Sequence, residues 1–405
     1  MRLVYIDHCA RLSGAELALL RLLEARKASA DDVTVILAED GPLRSRLEAA
    51  GARVEVVAMR ERSRDMGRSK VVLGPALVVG AADALGYALR LRSLIQRLGP
   101  DLVVTNSLKA SLYGGVAARL SGRPVLWHVH DRIAADYLPA LAVGMVRTAA
   151  RVVPTAVVAN SRATLDTLAL SARSARRLGA AVVGNPLPSH LAARSRSPVR
   201  PPARAELTVG MVGRLAPWKG QHVFLRAFAA AFDPGEARAV IVGGSLFGED
   251  AYRDELRDLA VELGIEGRVR FTGQVDDPTE EMVGFDILVH ASTSPEPFGQ
   301  VIVEGMALAL AVVAADAGGP AEIITPEDTG LLYPPGDHEA LAACLTRLGS
   351  SPQLRTRLGT AAAVAASAFA PERIADETER IYRRAAAAGR PGPLRRRLVR
   401  VGRLG

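Results

Sequence analysis

The feature that most constrains this chain is an alternation that stops once and then starts again. Short β-branched runs fall at residues 3–6, 33–37, 54–57, 102–105, 125–129 and 156–159. Stretches of helical composition lie between them at 15–26, 43–50, 85–98, 110–120 and 162–170. Repetition of strand, loop and helix calls for a parallel sheet covered by helices on both faces. Residues 187–204 break the pattern: they are rich in Pro, Ser and Arg, show no apolar period, and read as a linker. The alternation then resumes, with strands expected at 207–212, 239–242, 269–271, 287–290, 311–314 and 330–333 and helices at 220–231, 250–263, 301–308 and 338–348. A chain of 405 residues is too long for one ordinary core. The expectation is therefore two doubly wound α/β domains, 1–190 and 205–375. A polar helix at 371–388 should pack back toward the first domain, and 389–405 form an arginine-rich tail. Open sheets of this kind bind ligands outside the carboxyl ends of their strands, so a cleft bridged by one ligand is the default.

A net charge of +8 favours anionic partners. Nucleic acid is excluded from them, because neither zinc-finger spacing nor an aromatic RNA-binding motif is present. Cys9 and Cys344 fall in different domains without metal-ligand neighbours, which excludes a disulfide framework and fits a reducing, cytoplasmic compartment. Met1-Arg2 leads directly into the first strand, so no signal peptide is expected. The longest apolar run, 71–82, is interrupted or ended by Pro75 and Asp83; it is too short to span a bilayer and should start a buried or interfacial helix.

The second domain carries the most informative chemistry. Its first strand runs into Gly213-Arg214-Leu215-Ala216-Pro217-Trp218-Lys219-Gly220. Two cations at a strand end suit a diphosphate, Arg214 by gripping two oxygens and Lys219 as a point charge; capping of the sheet edge is the bland alternative. After the fourth strand comes Ser294-Pro295-Glu296-Pro297-Phe298-Gly299-Gln300-Val301-Ile302-Val303-Glu304. Glu296 lies in the loop and Glu304 about one turn into the next helix, so both can address one ligand. Gly299 and Gln300 open that helix, where unpaired N–H groups and the dipole attract anions. A capping acid plus a solvated glutamate would explain either residue alone. Gly243-Gly244-Ser245 and Ala317-Gly318-Gly319-Pro320-Ala321-Glu322 are softer signals, each as readily a tight turn as a ligand contact.

These segments together resemble retaining glycosyltransferases of family 4, the glycosyl transferases group 1, which have the GT-B fold of two Rossmann-like domains facing a central cleft. Three signatures match in order: Gly-Arg-Leu-x-x-x-Lys-Gly at 213–220, Glu-x7-Glu at 296–304, and Gly-Gly-Pro-x-Glu at 318–322. The first half is similar more diffusely. Ser13-Gly14-Ala15-Glu16 resembles the family's Gly-Gly-x-Glu turn with Ser13 in place of the first glycine, and His130-Asp131 resembles its histidine at a strand end. His128 is expected on the opposite face of that strand, which leaves His130 as the candidate. Val183-Gly184-Asn185-Pro186 resembles the segment near the family's hinge and is given structural weight only.

The resemblance implies the roles. Arg214 and Lys219 would bind the diphosphate and stabilise charge on the leaving group. Glu304 would hold the nucleotide ribose. Glu296, with the backbone at Phe298, Gly299 and Gln300, would hold the sugar. Gly14 would let backbone N–H groups reach the donor phosphate, and His130 would bind the donor sugar or assist at the anomeric centre. No metal is expected: the two cations take the place of a divalent ion, and Asp276-Asp277 reads as a turn near the base pocket at 273–277. The donor would be a UDP- or GDP-linked hexose and the acceptor a glycan, a lipid-linked glycan or a small molecule. The alternatives on the same fold are a nucleotide-sugar epimerase and a non-catalytic nucleotide-sugar binder. Basic residues at 60–70 and 390–403 fit either peripheral contact with an anionic membrane, at its inner face, or a solvated basic surface.

Overall fold

The computed structural model describes residues 1–26, 31–59, 75–195, 206–245 and 249–388, with 75–82 as backbone. The chain divides into two compact units: Met1–Gly184 together with the segment beginning at Glu372, and Asn185–Pro371.

Unit 1 is built on seven parallel strands: β1 (Arg2–Asp7), β2 (Asp32–Leu37), β3 (Arg53–Val56), β4 (Leu102–Thr105), β5 (Val125–Val129), β6 (Ala156–Ala159) and β7 (Ala181–Val182). Their order is β3-β2-β1-β4-β5-β6-β7. Its helices are α1 (Gly14–Ala25), α2 (Pro42–Ala49), α3 (Pro75–Leu98), α4 (Leu108–Leu120), α5 (Ala140–Val152), α6 (Arg162–Thr167) and α7 (Ala172–Arg177). Alternate strand residues feed two cores. Val4, Ile6, Val103, Trp127 and Val129 meet Leu91, Ala117 and Val146 of α3, α4 and α5 on one face. Leu3, Tyr5, Leu102 and Leu126 point to the other face, among α1, α2 and the C-terminal helix.

Unit 2 opens with α8 (Ser189–Ser195) and continues β8 (Leu207–Val212), α9 (Gln221–Ala231), β9 (Ala237–Val242), α10 (Asp250–Glu262), β10 (Val269–Gly273), α11 (Pro278–Met282), β11 (Ile287–His290), α12 (Gln300–Ala307), β12 (Ala311–Ala315), α13 (Pro320–Ile323), β13 (Leu331–Tyr333), α14 (His338–Ser350) and α15 (Pro352–Ala366). The strand order is β10-β9-β8-β11-β12-β13. In each sheet the winding reverses once, between β1 and β4 and between β8 and β11. That reversal leaves a crevice at the carboxyl ends of two neighbouring strands.

Several boundaries differ from the sequence reading. The first unit ends at Gly184, not 190, and residues 187–195 belong to unit 2 instead of a linker. Leu187, Leu191 and Ala192 are buried in the core of unit 2, an apolar spacing hidden among Ser and Arg. The Leu187 N–H donates to the Phe369 carbonyl at 2.9 Å. The helix α16 (Pro371–Ala388) packs within unit 1, where Ile374 and Tyr382 join the core of Leu3 and Tyr5, so residues 372–375 leave the second unit. Pro75 does not interrupt a helix; it opens α3, ten residues before the expected start, at a position where its missing N–H is no loss. Helices α5 and α15 have no counterpart in the sequence reading. The basic segment 60–70 and the tail 390–403 lie outside the described residues. Among the described residues, no helix is long and apolar enough to cross a membrane.

Candidate functional site

In unit 2 the reversal between β8 and β11 brings the two charged motifs together. Lys219, in a 3-10 turn after β8, places Nζ 2.5 Å from Oε1 of Glu296, in the loop after β11, although 77 residues separate them. Ser292 Oγ also donates to that oxygen, and His290 Nε2 lies 3.0 Å from it. Burial, the largest single influence on Glu296, pushes its carboxyl up; the Lys219 ammonium and His290 outweigh it and hold the group well below the usual carboxylate range. Glu296 is therefore a charged, paired carboxylate. The Trp218 ring sits beside both cations, 4.6 Å from Lys219 Nζ and 5.9 Å from the Arg214 guanidinium carbon. Arg214 Nε is 3.6 Å from a Glu249 oxygen.

Two glycines hold this geometry. Gly220 turns the chain at φ 76°, and a Cβ there would meet the Ala291 carbonyl oxygen at 1.9 Å. Gly318, at φ 68°, lies so close to the Glu296 loop that a Cβ would stand 2.3 Å from the Glu296 carbonyl oxygen. The Gly319 N–H donates to that same oxygen at 2.9 Å. The Gly-Gly-Pro segment is thus the wall behind the Glu296 loop. Gly243 and Gly244 are likewise structural, since the Leu215 N–H donates to the Gly244 carbonyl at 3.0 Å. Asp277 caps α11 by accepting from the Thr279 N–H at 2.9 Å.

Helix α12 begins at Gln300, with Gly299 as its N-cap at φ 102° and no side chain capping the first turn. Neither the Nε2 nor the Oε1 of Gln300 has a partner, and both atoms are buried. Glu304 is buried one turn further on. The Phe298 ring belongs to the core, edge-on to Phe369 at 5.6 Å, so Phe298 offers a ligand only its backbone.

Unit 1 carries a second buried polar cluster at its own reversal, between β1 and β4. Asn106 donates through Nδ2 to Asp7 Oδ2 at 2.7 Å and to the Ala15 carbonyl at 3.1 Å. Its Oδ1 is left to accept from His130 Nε2 at 3.2 Å. That bond puts the proton on Nε2 and leaves Nδ1, which is buried and without a partner, as the acceptor. Burial lowers the His130 pKa to about 4, so the ring is neutral. His128 is not on the opposite face as expected: the two rings lie 4.2 Å apart, because residues two apart along a strand point the same way.

Helix α1 begins at Gly14 as the loop motif requires, but Ser13 gives its first turn no capping bond and donates instead to Glu16. Burial first, and then Asp7, push the Glu16 carboxyl up to about 8. Asp7, His8 and Glu16 each offer a ligand atom within 4.8 Å of the others. As a cation site the trio is poor. Asp7 already accepts from Asn106 and from the His8 N–H at 2.7 Å, His8 Nδ1 is engaged with Ser107 Oγ at 2.8 Å, and Glu16 favours its neutral form.

The sequence motifs named Lys219, Glu296 and His130, which sit in these clusters, and gave no role to Trp218, His290, Ser292 and Asn106. Position at or just after a strand end was the available signal for the last three.

Both halves of the chain match known proteins. Residues 13–178 match glycosyltransferase family 4 and residues 197–364 match the glycosyl transferases group 1. The chain belongs to glycosyltransferase family 4, and its two parallel-sheet units have the GT-B fold. A lipopolysaccharide core biosynthesis glycosyltransferase, LpsE, of Rhizobium meliloti is 36% identical over 163 residues, 40% of this chain and 45% of that protein. A D-inositol 3-phosphate glycosyltransferase of Corynebacterium efficiens is 34% identical over 210 residues, 50% of this chain and 49% of that protein. The chain spans about half the length of these curated relatives. Anabaena HepE, solved in complex with UDP-glucose, superposes with a TM-score of 0.77 and 28% identity, over 94% of this chain and 98% of that one.

Proposed function

We propose that this chain moves a hexosyl unit from a nucleotide sugar to a glycan, lipid-linked or small-molecule acceptor, with retention of configuration and without a metal. The observation that carries the reading is the meeting of Lys219 and Glu296 at the reversal point of the second sheet. A cation and a carboxylate parked on one another are a pre-formed site whose two halves suit the diphosphate and the hydroxyls of one donor.

On binding, the diphosphate takes over Lys219 and approaches Arg214 and the open start of α12, while Glu296 turns to the sugar hydroxyls. Glu304 takes the ribose. Charge building on the leaving diphosphate is stabilised by the two cations. His130 in unit 1 offers the neutral acceptor Nδ1 to a sugar hydroxyl, and the uncapped start of α1 at Gly14 offers N–H groups to phosphate. UDP-linked hexoses are the first donors to try, since HepE was solved with UDP-glucose.

The test is turnover of a UDP-hexose panel with and without candidate acceptors, with chelator present throughout. The reading expects UDP release that depends on acceptor and survives chelator, with an α-linked product from an α-linked donor. Interconversion of donors without acceptor would indicate an epimerase. Loss of turnover on chelation, or an inverted product, would remove the corresponding part of the proposal.

A further inference from the structure

The two cations of the donor motif are held unequally. Lys219 meets a Glu296 oxygen that Ser292 and His290 also address, so that carboxylate is fixed from several sides. Arg214 instead faces Glu249 across 3.6 Å, beyond hydrogen-bond length, with the two side chains 25% and 24% exposed. The Glu249 oxygen that meets Arg214 is buried and accepts no hydrogen bond. Glu249 is the N-cap residue of α10, where the helix dipole favours an acid. A capping role would turn its oxygens onto the N–H groups of that helix, yet the side chain makes no capping bond. Its carboxylate is directed at Arg214 and held there loosely.

The backbone around this pair is pinned, so a change of partner falls to the side chains. A Cβ at Gly243 would stand 2.2 Å from the Gly213 carbonyl oxygen, which shows how closely the ends of β8 and β9 pack. The Leu215 N–H holds the Gly244 carbonyl on one side of Arg214. On the other, Gln221, fully buried at the start of α9, donates through Nε2 to the Arg214 carbonyl oxygen at 2.9 Å. A guanidinium in loose contact with one carboxylate yields to a stronger anion. A diphosphate offers it two oxygens at hydrogen-bond distance and more negative charge than a single carboxylate.

We propose that Glu249 is the counter-ion of Arg214 in the empty site, that the diphosphate of the donor displaces it, and that this competition sets the affinity for nucleoside diphosphates. The inference rests on the donor reading above and gives a role to a residue outside its three motifs. The return of Glu249 to Arg214 also favours departure of the nucleotide left after transfer, because it opposes the same contact.

The experiment is calorimetric titration of UDP into the full chain as wild type, Glu249→Gln, Arg214→Ala and the double variant, with a melting temperature recorded for each. Glu249→Gln keeps the shape of the side chain and removes its charge. UDP should bind this variant about two- to fivefold more tightly than wild type, as befits a partly exposed ion pair, and added salt should shrink the difference. A side chain with a structural role alone would give no gain. In the Arg214→Ala background the same substitution should leave affinity unchanged, because the group that Glu249 blocks is gone. Equal binding by folded Glu249→Gln overturns the proposal. Weaker binding overturns it too, and would make Glu249 a support that orients Arg214. An equal gain in both backgrounds also overturns it, since plain repulsion between Glu249 and the diphosphate would then suffice. Failure of wild type to bind UDP would sink the donor reading and this inference together, whereas wild-type binding without a gain in the variant removes this inference alone.

Discussion

The two sheet reversals hold sites of opposite character. In unit 2 the crevice is ionic: Lys219 and Glu296 are paired, and Arg214 flanks the same indole. In unit 1 it is mostly neutral despite its ionisable residues, with His130 uncharged and Glu16 holding its proton to about pH 8. Burial operates in both. It is overcome by an opposite charge in unit 2 and left to win in unit 1, where the neighbour of Glu16 is another carboxylate, Asp7. The first arrangement suits an anion that can replace Glu296 on Lys219. The second suits recognition of hydroxyls by fixed dipoles.

The ionic half is the easier to break. Lys219→Met should leave Glu296 buried with only His290 and Ser292, and should cost about 3–5 kcal/mol at pH 7 by chemical denaturation. The sign can be checked against pH. The wild-type carboxyl lies below its unfolded value, so its stabilisation is full above about pH 4.5 and fades as pH falls through the folded pKa. In the variant the carboxyl should titrate higher. The gap between the two proteins should therefore be widest near neutrality and close below about pH 4. An equal gap at every pH would mean that the pair carries no such stabilisation.

Removing the bridge in the neutral half should cost less. Asn106→Ala leaves Asp7 and His130 without their partner, for about 1–3 kcal/mol of stability. Because Asn106 fixes which nitrogen of His130 is the acceptor, turnover should fall about tenfold while UDP affinity stays at the wild-type value. A loss of UDP affinity instead would show that the two crevices are not as separable as their chemistry suggests.

At Glu16 the effect is read as a slope against pH. Its folded pKa lies above the unfolded one, so the wild type binds an extra proton when folded and loses stability as pH rises from about 4.5 toward about 8. Glu16→Gln should flatten that fall in melting temperature. An unchanged slope would mean that Asp7 and burial do not hold the proton there.

The same contrast explains what could be read from the sequence. Strand positions were legible in both halves, because fully buried parallel strands read as short β-branched runs; β4, β5, β6, β8 and β11 fall on their expected residues. Helix α5 was not, although Val143, Val146 and Ala150 line one buried side of it at helical spacing. In unit 2, glycines forced by backbone contact, such as Gly220 and Gly318, keep the motifs rigid enough to recognise. Asn106 lies in no motif. Its importance comes from the neighbouring of β1 and β4, strands separated by 94 residues of chain, and only the fold supplies that. Nor does sequence show that Lys219 and Glu296 begin as partners.

The claim at the centre is that Lys219 and Arg214 exist to receive a diphosphate. Calorimetric titration of UDP into wild type, Arg214→Ala and Lys219→Ala tests it directly, with circular dichroism confirming that each variant is folded. Loss of a charge-assisted contact is worth about 1.5–3 kcal/mol, so affinity should fall by roughly ten- to over a hundredfold in each variant. Folded variants that bind UDP as tightly as the wild type would contradict the account.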